Sequence, residues 1–403
     1  MNLFREPIST QLLEALRVVT DSGPPVAVHQ VSDSVRELWR IFTRERTRLG
    51  QNYLERVDLL TAYLHYYFPI NYAKVQSVLR ELPPLRSEVS AHSPMRVLDV
   101  GSGPGTASLA ALEWLLAMNV EPKHILVTAV DQSSHALAHA RMLWKAFCGL
   151  REISGGGFRA VVADMARSSV GEGVLGECGG PLDLIVIANA LNEWFPGHRD
   201  PVVRRAKVVR RLLESLAPDG ALVIIEPALR EPTRALHALR DQLLTRGVCS
   251  VYSPCLHDQP CPALTDPTDW CHEERPWQTP PSIQAFDRAL GFVKDALKFS
   301  YVVLRKDGRT IVPRSSDLIR IVSEQRAFKG ELRMWACGET GRRDLGRLER
   351  ERSETNAAYD HATRGTIIRV RGAKRKEGAT LERIPADAIV QIIRPLEAGT
   401  EAG

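Results

Sequence analysis

The stretch RVLDVGSGPGTASLAAL (residues 96–112) decides the fold of this 403-residue chain. Its first residues predict a short buried strand that delivers Asp99, and its last residues predict a helix. Between them lies a turn that contains Gly101, Gly103 and Gly105, and glycine lets the backbone approach a ligand without a Cβ clash. The free N–H groups at the start of the helix face the same ligand. Strand, turn and helix together predict a site for a nucleotide-type cofactor.

Acidic residues follow the next two predicted strands. Asp131 comes after HILVTAV, where a carboxylate can accept hydrogen bonds from both hydroxyls of a ribose. Asp164 comes after FRAVVA, placed for an adenine amino group, with Met165 beside the ring. With the glycine loop, this pattern resembles the class I S-adenosylmethionine-dependent methyltransferases over roughly residues 95–230. The resemblance implies that these residues and Asp99 hold adenosylmethionine; a sheet that binds another nucleotide, or none, is the alternative.

The order of predicted elements gives the fold class. Residues 1–90 show apolar positions at helical spacing and form a helical N-terminal region. Strands then alternate with helices through residues 91–310, which predicts a doubly wound α/β sheet. The resemblance implies that this domain has the class I methyltransferase fold. A cysteine-rich insertion occupies residues 249–282 of that domain. Residues 311–403 form a basic C-terminal β region, where TIIRVRG and AIVQIIRP alternate like strands.

The methyl acceptor is expected near ANALNEWF, after the fourth predicted strand. Asn192 and Glu193 lie at the carboxyl end of the sheet, so we predict that they orient or deprotonate an acceptor. The alternative is that both residues cap a helix or lie at the surface as ordinary polar side chains. An Asn-Pro-Pro-aromatic motif, which serves amino groups of bases, is absent. Cys255 follows a proline, like a cytosine-C5 nucleophile, but it lies a whole helix beyond the fifth strand, within a cysteine cluster.

That cluster is SPCLHDQPCPALTDPTDWCHE, which carries Cys255, Cys261 and Cys271. Cys337, in MWACGE, is the candidate for a distant fourth ligand. Four thiols can bind a tetrahedral zinc ion or an iron–sulfur cluster, and the spacing does not choose between them. Nearby histidines, His257 and His272, keep a mixed zinc site open, and unrelated loop thiols are the remaining alternative. The loop is long and poor in apolar residues, so a metal could supply its folding energy.

Four segments together carry a more specific resemblance: TAYLHYYFPINYAKV, VLDVGSGPGTASLAALEW, the cysteine block and LKFSYVVLRK. Over about residues 50–340 the chain resembles the mitochondrial small-ribosomal-subunit methyltransferase-like family, the Rsm22-type ribosome assembly factors. The resemblance implies a [4Fe-4S] cluster held by Cys255, Cys261, Cys271 and Cys337. Glu273 stands where the family pattern implies an aromatic residue, as expected of a divergent bacterial member.

Basic residues are concentrated near the chain's end, in GRRDLGRLERERS and RVRGAKRK, although the net charge is only +5. Such a patch suits RNA phosphates, which give affinity without sequence reading. The alternative is a solvated helix, because RLERERSE mixes glutamate with arginine. The residues concerned are Arg342, Arg343, Arg347, Arg350, Arg369, Arg371, Lys374, Arg375 and Lys376.

These observations lead to one function and two alternatives. We predict a methyltransferase that uses adenosylmethionine, carries an iron–sulfur cluster and acts on small-subunit ribosomal RNA. A catalytically silent assembly factor and a zinc-containing methyltransferase of unknown substrate are the alternatives. No run of about 18 apolar residues and no signal-type N-terminus are present. We therefore expect a cytoplasmic protein with no membrane contact; the oligomeric state is open, with a monomer expected.

Overall fold

The computed structural model describes residues 8–20, 27–46, 53–86, 89–90 and 93–395. These residues form two β-sheets, with helices on both faces of the first. Within the described parts of the chain, no helix has the length and apolar character that a membrane crossing needs.

The first sheet has the strand order β3-β2-β1-β4-β5-β8-β6, with β7 also paired to β8. Strands β1 to β5 run parallel, and β8 runs antiparallel to its neighbours. The doubly wound α/β prediction is confirmed. The strands are β1 (Met95–Val100), β2 (Ile125–Asp131), β3 (Gly157–Val162), β4 (Leu182–Ala188), β5 (Leu216–Pro227), β6 (Ser250–Ser253), β7 (Glu273–Pro276) and β8 (Ala296–Arg305).

The central strands are almost continuously apolar because helices cover both of their faces. Strand order reverses between β1 and β4, and ligands bind open α/β sheets at the carboxyl ends of strands beside such a reversal. The helices are α1 (Thr10–Thr20), α2 (Val28–Thr43), α3 (Val57–Ala62), α4 (Phe68–Leu79), α5 (Thr106–Ala117), α6 (Ser134–Leu150), α7 (Ser168–Glu177), α8 (Pro201–Glu214), α9 (Arg230–Leu244) and α10 (Pro281–Leu290).

The N-terminal helices share one core with the first sheet. Helix α4 packs against α5, and α1 packs against α6. Aromatic side chains such as Tyr66, Phe68 and Tyr72 are completely buried in that core. A π-helical turn, Tyr63–Tyr67, joins α3 to α4 just ahead of Pro69. The aromatic cluster therefore holds the N-terminal helices onto the sheet.

The second sheet has the order β14-β15-β12-β11-β9-β13-β16, with β10 paired to β11. Its own core contains Ile319, Met334, Leu345 and Tyr359. RLERERSE is not a solvated helix: it comprises the end of β12 and a 3₁₀ turn. The strands are β9 (Leu318–Ile321), β10 (Arg326–Phe328), β11 (Glu331–Gly338), β12 (Gly341–Leu348), β13 (Ile367–Arg371), β14 (Lys374–Arg375), β15 (Leu381–Arg383) and β16 (Ile389–Arg394).

A buried ion cluster, defined as Glu81, Glu273, Arg275, Tyr301 and Arg320, joins the two sheets and the N-terminal helices. Glu81 accepts from Arg275 at 2.6 Å and from Arg320 at 3.2 Å. Tyr301 donates its hydroxyl to the same carboxylate at 2.7 Å. Arg320 also contacts Glu273 at 3.2 Å. The glutamate that departs from the family pattern is therefore part of this junction.

Candidate functional site

The glycine loop is closed by backbone hydrogen bonds and by Asp131. The N–H of Gly101 donates to the carbonyl of Val130 at 2.8 Å, and the N–H of Gly103 donates to Asp131 Oδ2 at 2.8 Å. Gly101 has a φ of +69°, and a Cβ there would lie 2.3 Å from the Cβ of Ala190. Only glycine fits at that point, as expected of a loop that cradles a ligand.

Asp99 supports this loop from inside the sheet. Its Oδ2 accepts from both the N–H and the hydroxyl of Ser108, each at 2.7 Å. Its side chain is 1% exposed, and burial raises its pKa to about 7. Asp99 thus fixes the first turn of α5 to β1.

Asp131 stands at the carboxyl end of β2 and holds two backbone groups. Besides the Gly103 contact, its Oδ1 accepts from the N–H of Ser133 at 2.8 Å. Burial raises its pKa above the ordinary value. Its carboxylate is therefore fixed in direction, with the glycine loop on one side and the start of α6 on the other.

The next pair, Asp164 and Met165, follows β3 as the sequence indicates. Asp164 Oδ1 accepts from the N–H of Ala166 at 2.9 Å, and Arg167 lies 3.4 Å from Oδ2. Met165 is 5% exposed and packs with the core on the α8 and α9 face. The described contacts hold both residues near the edge where an adenine ring is predicted.

Each polar group of Asn192 makes an intramolecular hydrogen bond. Its side-chain oxygen accepts from Arg46 at 2.6 Å, and its side-chain nitrogen donates to the Asn189 carbonyl at 3.0 Å. Its backbone N–H donates to Glu226 at 3.3 Å, and its carbonyl accepts from Arg205 at 2.9 Å. Asn189 belongs to the same loop, but Arg46, Arg205 and Glu226 come from other parts of the chain, so Asn192 anchors the loop that carries Glu193.

Glu193 and Glu226 form an acidic pair beside Asp131. Burial raises the pKa of Glu193 to about 8, and the charges of Asp131 and Glu226 act in the same direction. Burial also raises the pKa of Glu226 to about 7. Glu226 is 1% exposed, and its Oε2 has no hydrogen-bond partner among the described residues. Tyr53 donates to Glu193 Oε1 at 3.3 Å.

The N-terminal region covers the cofactor edge of the sheet, which sequence reasoning missed. A Cβ on Gly103 would lie 3.4 Å from the side chain of Leu54. The carbonyl of Glu55 lies 3.2 Å from His135 Nδ1, at the start of α6. Arg46 and Tyr53 were missed because no local motif marks them. Glu226 carried a usable signal, since it ends the apolar strand ALVIIE at the same sheet edge as Asp131.

One face of α9 organises the cysteine loop. Arg234 donates to the carbonyls of Ala263, Asp266 and Asp269 at 2.9, 2.6 and 2.7 Å. One and two turns later, His237 contacts the carbonyl of Cys271 at 3.0 Å and Arg240 donates to that of Gln259 at 2.8 Å. These side chains therefore order the cysteine loop, for which the sequence had suggested a metal as the source of folding energy.

The four predicted thiols converge, including the distant Cys337 on β11. Burial raises the pKa of Cys271, and the nearby Cys261, Cys255 and Cys337 raise it further. Burial likewise raises the pKa of Cys337, and the charges of Cys255 and Cys261 raise it further. Across the described residues, no group of three or more His, Cys, Asp or Glu side chains has the arrangement of a metal site.

His257 lies at the rim of these thiols. Its Nδ1 is 3.1 Å from the carbonyl of Gln259, so that nitrogen carries the proton in the neutral ring. The other nitrogen, Nε2, then faces Cys337 Sγ at 3.5 Å as an acceptor. Burial lowers the pKa of His257 to about 4, which keeps the ring neutral at physiological pH.

Comparison with known families decides the identity. The sequence model of the family described as "Mitochondrial small ribosomal subunit Rsm22" matches residues 58–362, about three quarters of the chain. The chain belongs to the Rsm22 family. The match includes the glycine loop, all four predicted cysteine ligands and four strands of the second sheet, β9 to β12.

Other proteins resemble this Rsm22-family chain over a shorter part of its length or with lower sequence identity. Trans-aconitate 2-methyltransferase from Methylobacterium nodulans is 32% identical over 153 residues, 38% of this chain and 46% of the relative. The chain thus spans less than half of that curated relative. NSun6 from Pyrococcus horikoshii with SFG has a TM-score of 0.35 and 15% identity, covering 58% and 51% of the two chains. The plantazolicin methyltransferase BpumL with SAH has a TM-score of 0.33 and 10% identity, covering 73% and 99%.

Most of the basic C-terminal residues of the Rsm22-family chain pair with carboxylates, although Arg371 and Lys374 remain exposed in their pairs. Six of the nine pair with carboxylates, which leaves Arg350, Arg375 and Lys376 exposed without such a partner among the described residues. The charge available to an RNA there is therefore much smaller than the sequence indicates. The pairs are Arg342–Asp269, Arg343–Glu382, Arg347–Asp360, Arg369–Asp317, Arg371–Asp317 and Lys374–Asp387.

Proposed function

We propose that this Rsm22-family protein is an adenosylmethionine-dependent methyltransferase that acts on small-subunit ribosomal RNA. The observation that carries the proposal is the intact glycine loop braced by Asp131, with Glu193 beside it. The small-subunit target rests on the family's description. A cytoplasmic location remains a prediction.

The residues present fit the cofactor. The loop leaves no room for a Cβ at Gly101, and Asp131 offers carboxylate oxygens at the end of β2, where ribose hydroxyls would be held. Asp164 and Met165 would bind the adenine, and Asp99 keeps the loop and α5 in register. Adenosylmethionine, when bound, supplies an electrophilic methyl group on a sulfonium.

Glu193 is the residue that would take the acceptor's proton. Tyr53 holds one of its oxygens, and the anchored Asn192 fixes the loop beneath it. In the transfer, the acceptor would form a bond to the methyl carbon while the carbon–sulfur bond of the sulfonium breaks and leaves its electron pair on sulfur. The acceptor's proton would pass to the Glu193 carboxylate. Because burial raises the pKa of Glu193 to about 8, the basic form increases as the pH rises through that value.

Transfer of a labelled methyl group tests the enzyme directly. Small ribosomal subunits from cells that lack this protein should accept label from adenosylmethionine, and the rate should rise between about pH 6 and pH 8.5. Glu193→Gln should lower the rate about 100-fold and abolish the pH-dependent rise, since general base catalysis contributes about 10²- to 10⁴-fold. Asp33→Asn, an exposed change on α2, is the control.

A second function, a silent assembly factor, is favoured by one observation. All the polar groups of Asn192 are engaged within the protein, so this predicted acceptor-binding residue is committed to structure. Cofactor binding with no label transfer to subunits at any pH, while the protein still restores subunit maturation, would select this function over the enzyme.

We further propose that Cys255, Cys261, Cys271 and Cys337 hold a [4Fe-4S] cluster. Support comes from the family resemblance, which implies these four ligands, and from two buried or half-buried arginines beside the thiols. The thiols influence one another electrostatically, but in this structure they do not stand in the arrangement of a metal site. Arg240 is completely buried and interacts electrostatically with Cys255 and Cys261, and Arg342 does so with Cys261. Fixed positive charge offsets the thiolates that such a cluster requires.

Anaerobic purification with iron, sulfide and zinc analysis tests the cluster. We expect about four irons and four sulfides per chain with a broad visible absorption. Cys271→Ser should lose this iron, whereas Cys148→Ser, a half-buried thiol on α6, should keep it. About one zinc per chain with no iron would contradict the cluster and favour the zinc-containing alternative.

A further inference from the structure

A cleft of about 370 Å³ opens between α8 and α9, on the sheet face away from the N-terminal helices. It is a separate place from the cofactor edge and from the C-terminal sheet. Apart from one valine its lining residues are polar or charged, with two arginines and one aspartate among them. The lining residues are Val203, Arg210, Asp241, Gln242, Thr245 and Arg246.

The positive charge of this cleft is uncompensated. Neither Arg210 nor Arg246 has a hydrogen bond or ion pair to another described side chain, and Arg246 is exposed. Lys207, one turn before Arg210 on the same face of α8, is also exposed and unpaired within the described part. This contrasts with the C-terminal arginines, most of which have carboxylate partners.

The single carboxylate in the lining is occupied. Asp241 Oδ1 accepts from the buried Arg240, and Asp241 Oδ2 accepts from the N–H of Cys261 at 2.9 Å. It therefore does not neutralise the two cleft arginines. The same contacts place the floor of the cleft directly against the cysteine loop.

We propose that the α8–α9 cleft binds the phosphate backbone of RNA. Guanidinium groups present planar donors that match phosphate oxygens, and Gln242 and Thr245 add an amide and a hydroxyl at the same place. Volume and donors suit a phosphate with its ribose. This cleft would be an RNA contact of the methyltransferase proposed above, so the inference rests on that proposed function. It places the RNA contact at α8 and α9 and not at the basic C-terminal region.

Two variants of equal charge change test the cleft. One carries Lys207→Gln, Arg210→Gln and Arg246→Gln; its control carries Arg350→Gln, Arg375→Gln and Lys376→Gln, the exposed unpaired residues of the C-terminal region. Affinity for purified small-subunit ribosomal RNA is measured across salt concentrations. In the cleft variant the magnitude of the slope of log affinity against log salt should decrease by about two, because each phosphate that is no longer neutralised removes about 0.7. In the control variant the slope should stay unchanged.

Three results would overturn the proposal. The first is an unchanged slope in the cleft variant, and the second is an equal fall of the slope in both variants. The third is a cleft variant that loses as much affinity for polyglutamate as for RNA, which would indicate an acidic protein partner. Thermal melting and adenosylmethionine binding are measured on each variant to show that it is folded. If wild-type protein transfers no methyl group yet shows the cleft-dependent slope, the enzyme proposal fails and the RNA contact stands.

Discussion

Asp131→Asn should weaken adenosylmethionine binding about 100- to 1,000-fold. The carboxylate is expected to accept both ribose hydroxyls, and a hydrogen bond to a charged group contributes about 1.5–3 kcal/mol. Two such bonds, about 3–6 kcal/mol, correspond to about two to four orders of magnitude in Kd. The asparagine amide oxygen still accepts a hydrogen bond, which keeps the expected loss in the lower part of that range. Asp131 also accepts the N–H groups of Gly103 and Ser133, so the substitution additionally loosens the loop. Isothermal titration with adenosylmethionine measures the effect.

Two other aspartates provide the comparison for Asp131. Asp164→Asn should weaken binding only about tenfold, because a single contact to the adenine is at stake. Asp33→Asn, exposed on α2, should leave binding unchanged. Equal affinities for Asp131→Asn and wild type, with both proteins folded by thermal melting, would remove the glycine loop as the cofactor site and the methyltransferase proposal with it.

Glu81→Gln should lower the stability of the whole protein by about 3–5 kcal/mol, the usual result of removing one partner from a buried ion pair. Arg275 and Arg320 are 8% and 3% exposed, and both would lose their shared carboxylate. Glu81 directly follows the N-terminal helices, Arg275 lies on β7 and Arg320 lies on β9. Because the substitution breaks this junction, we also expect the second sheet to become sensitive to limited proteolysis. Urea unfolding and proteolysis measure the two effects.

The pH dependence of the Glu81 effect has a definite sign. Burial alone would raise its pKa, but Arg275 and Arg320 hold the pKa of Glu81 well below the ordinary value of 4.5. The carboxylate therefore contributes stability that is fully present above pH 4.5 and is lost as the pH falls below it. The difference between Glu81→Gln and wild type should shrink in acid. Glu349→Gln, exposed on a 3₁₀ turn, should match wild type at every pH.

Local patterns predicted the first sheet and the turn of the glycine loop well. RVLDV and LDLIVIA are continuously apolar, and such runs are buried when helices cover both faces of a parallel sheet. The three glycines of the loop have positive φ values, which explains why the motif alone located the turn. The sequence named Cys337 only as a candidate fourth ligand, because no spacing rule connects positions so far apart; the family resemblance implied the full set, which stays a prediction.

Contacts between distant segments escaped prediction. Arg46 and Tyr53 reach Asn192 and Glu193 only because the N-terminal helices fold back over the sheet. The sequence predicted that Asn192 meets an acceptor, which stays a prediction, but it gave no sign of the contacts that Arg46, Arg205 and Glu226 make with it. The basic C-terminal run suggested an RNA surface, but its carboxylate partners, such as Asp269 and Asp317, lie far away in sequence.

The sequence by itself determined the doubly wound sheet, the glycine loop with Asp131 and the family, since these depend on periodicity and on neighbouring residues. Only the tertiary structure decided which charges are free. A side chain's charge is available to a partner when no opposite charge meets it in the fold, and that depends on residues brought together by packing. For this reason Arg210 and Arg246 face an open cleft, while the more conspicuous arginines of the C-terminal region are already neutralised.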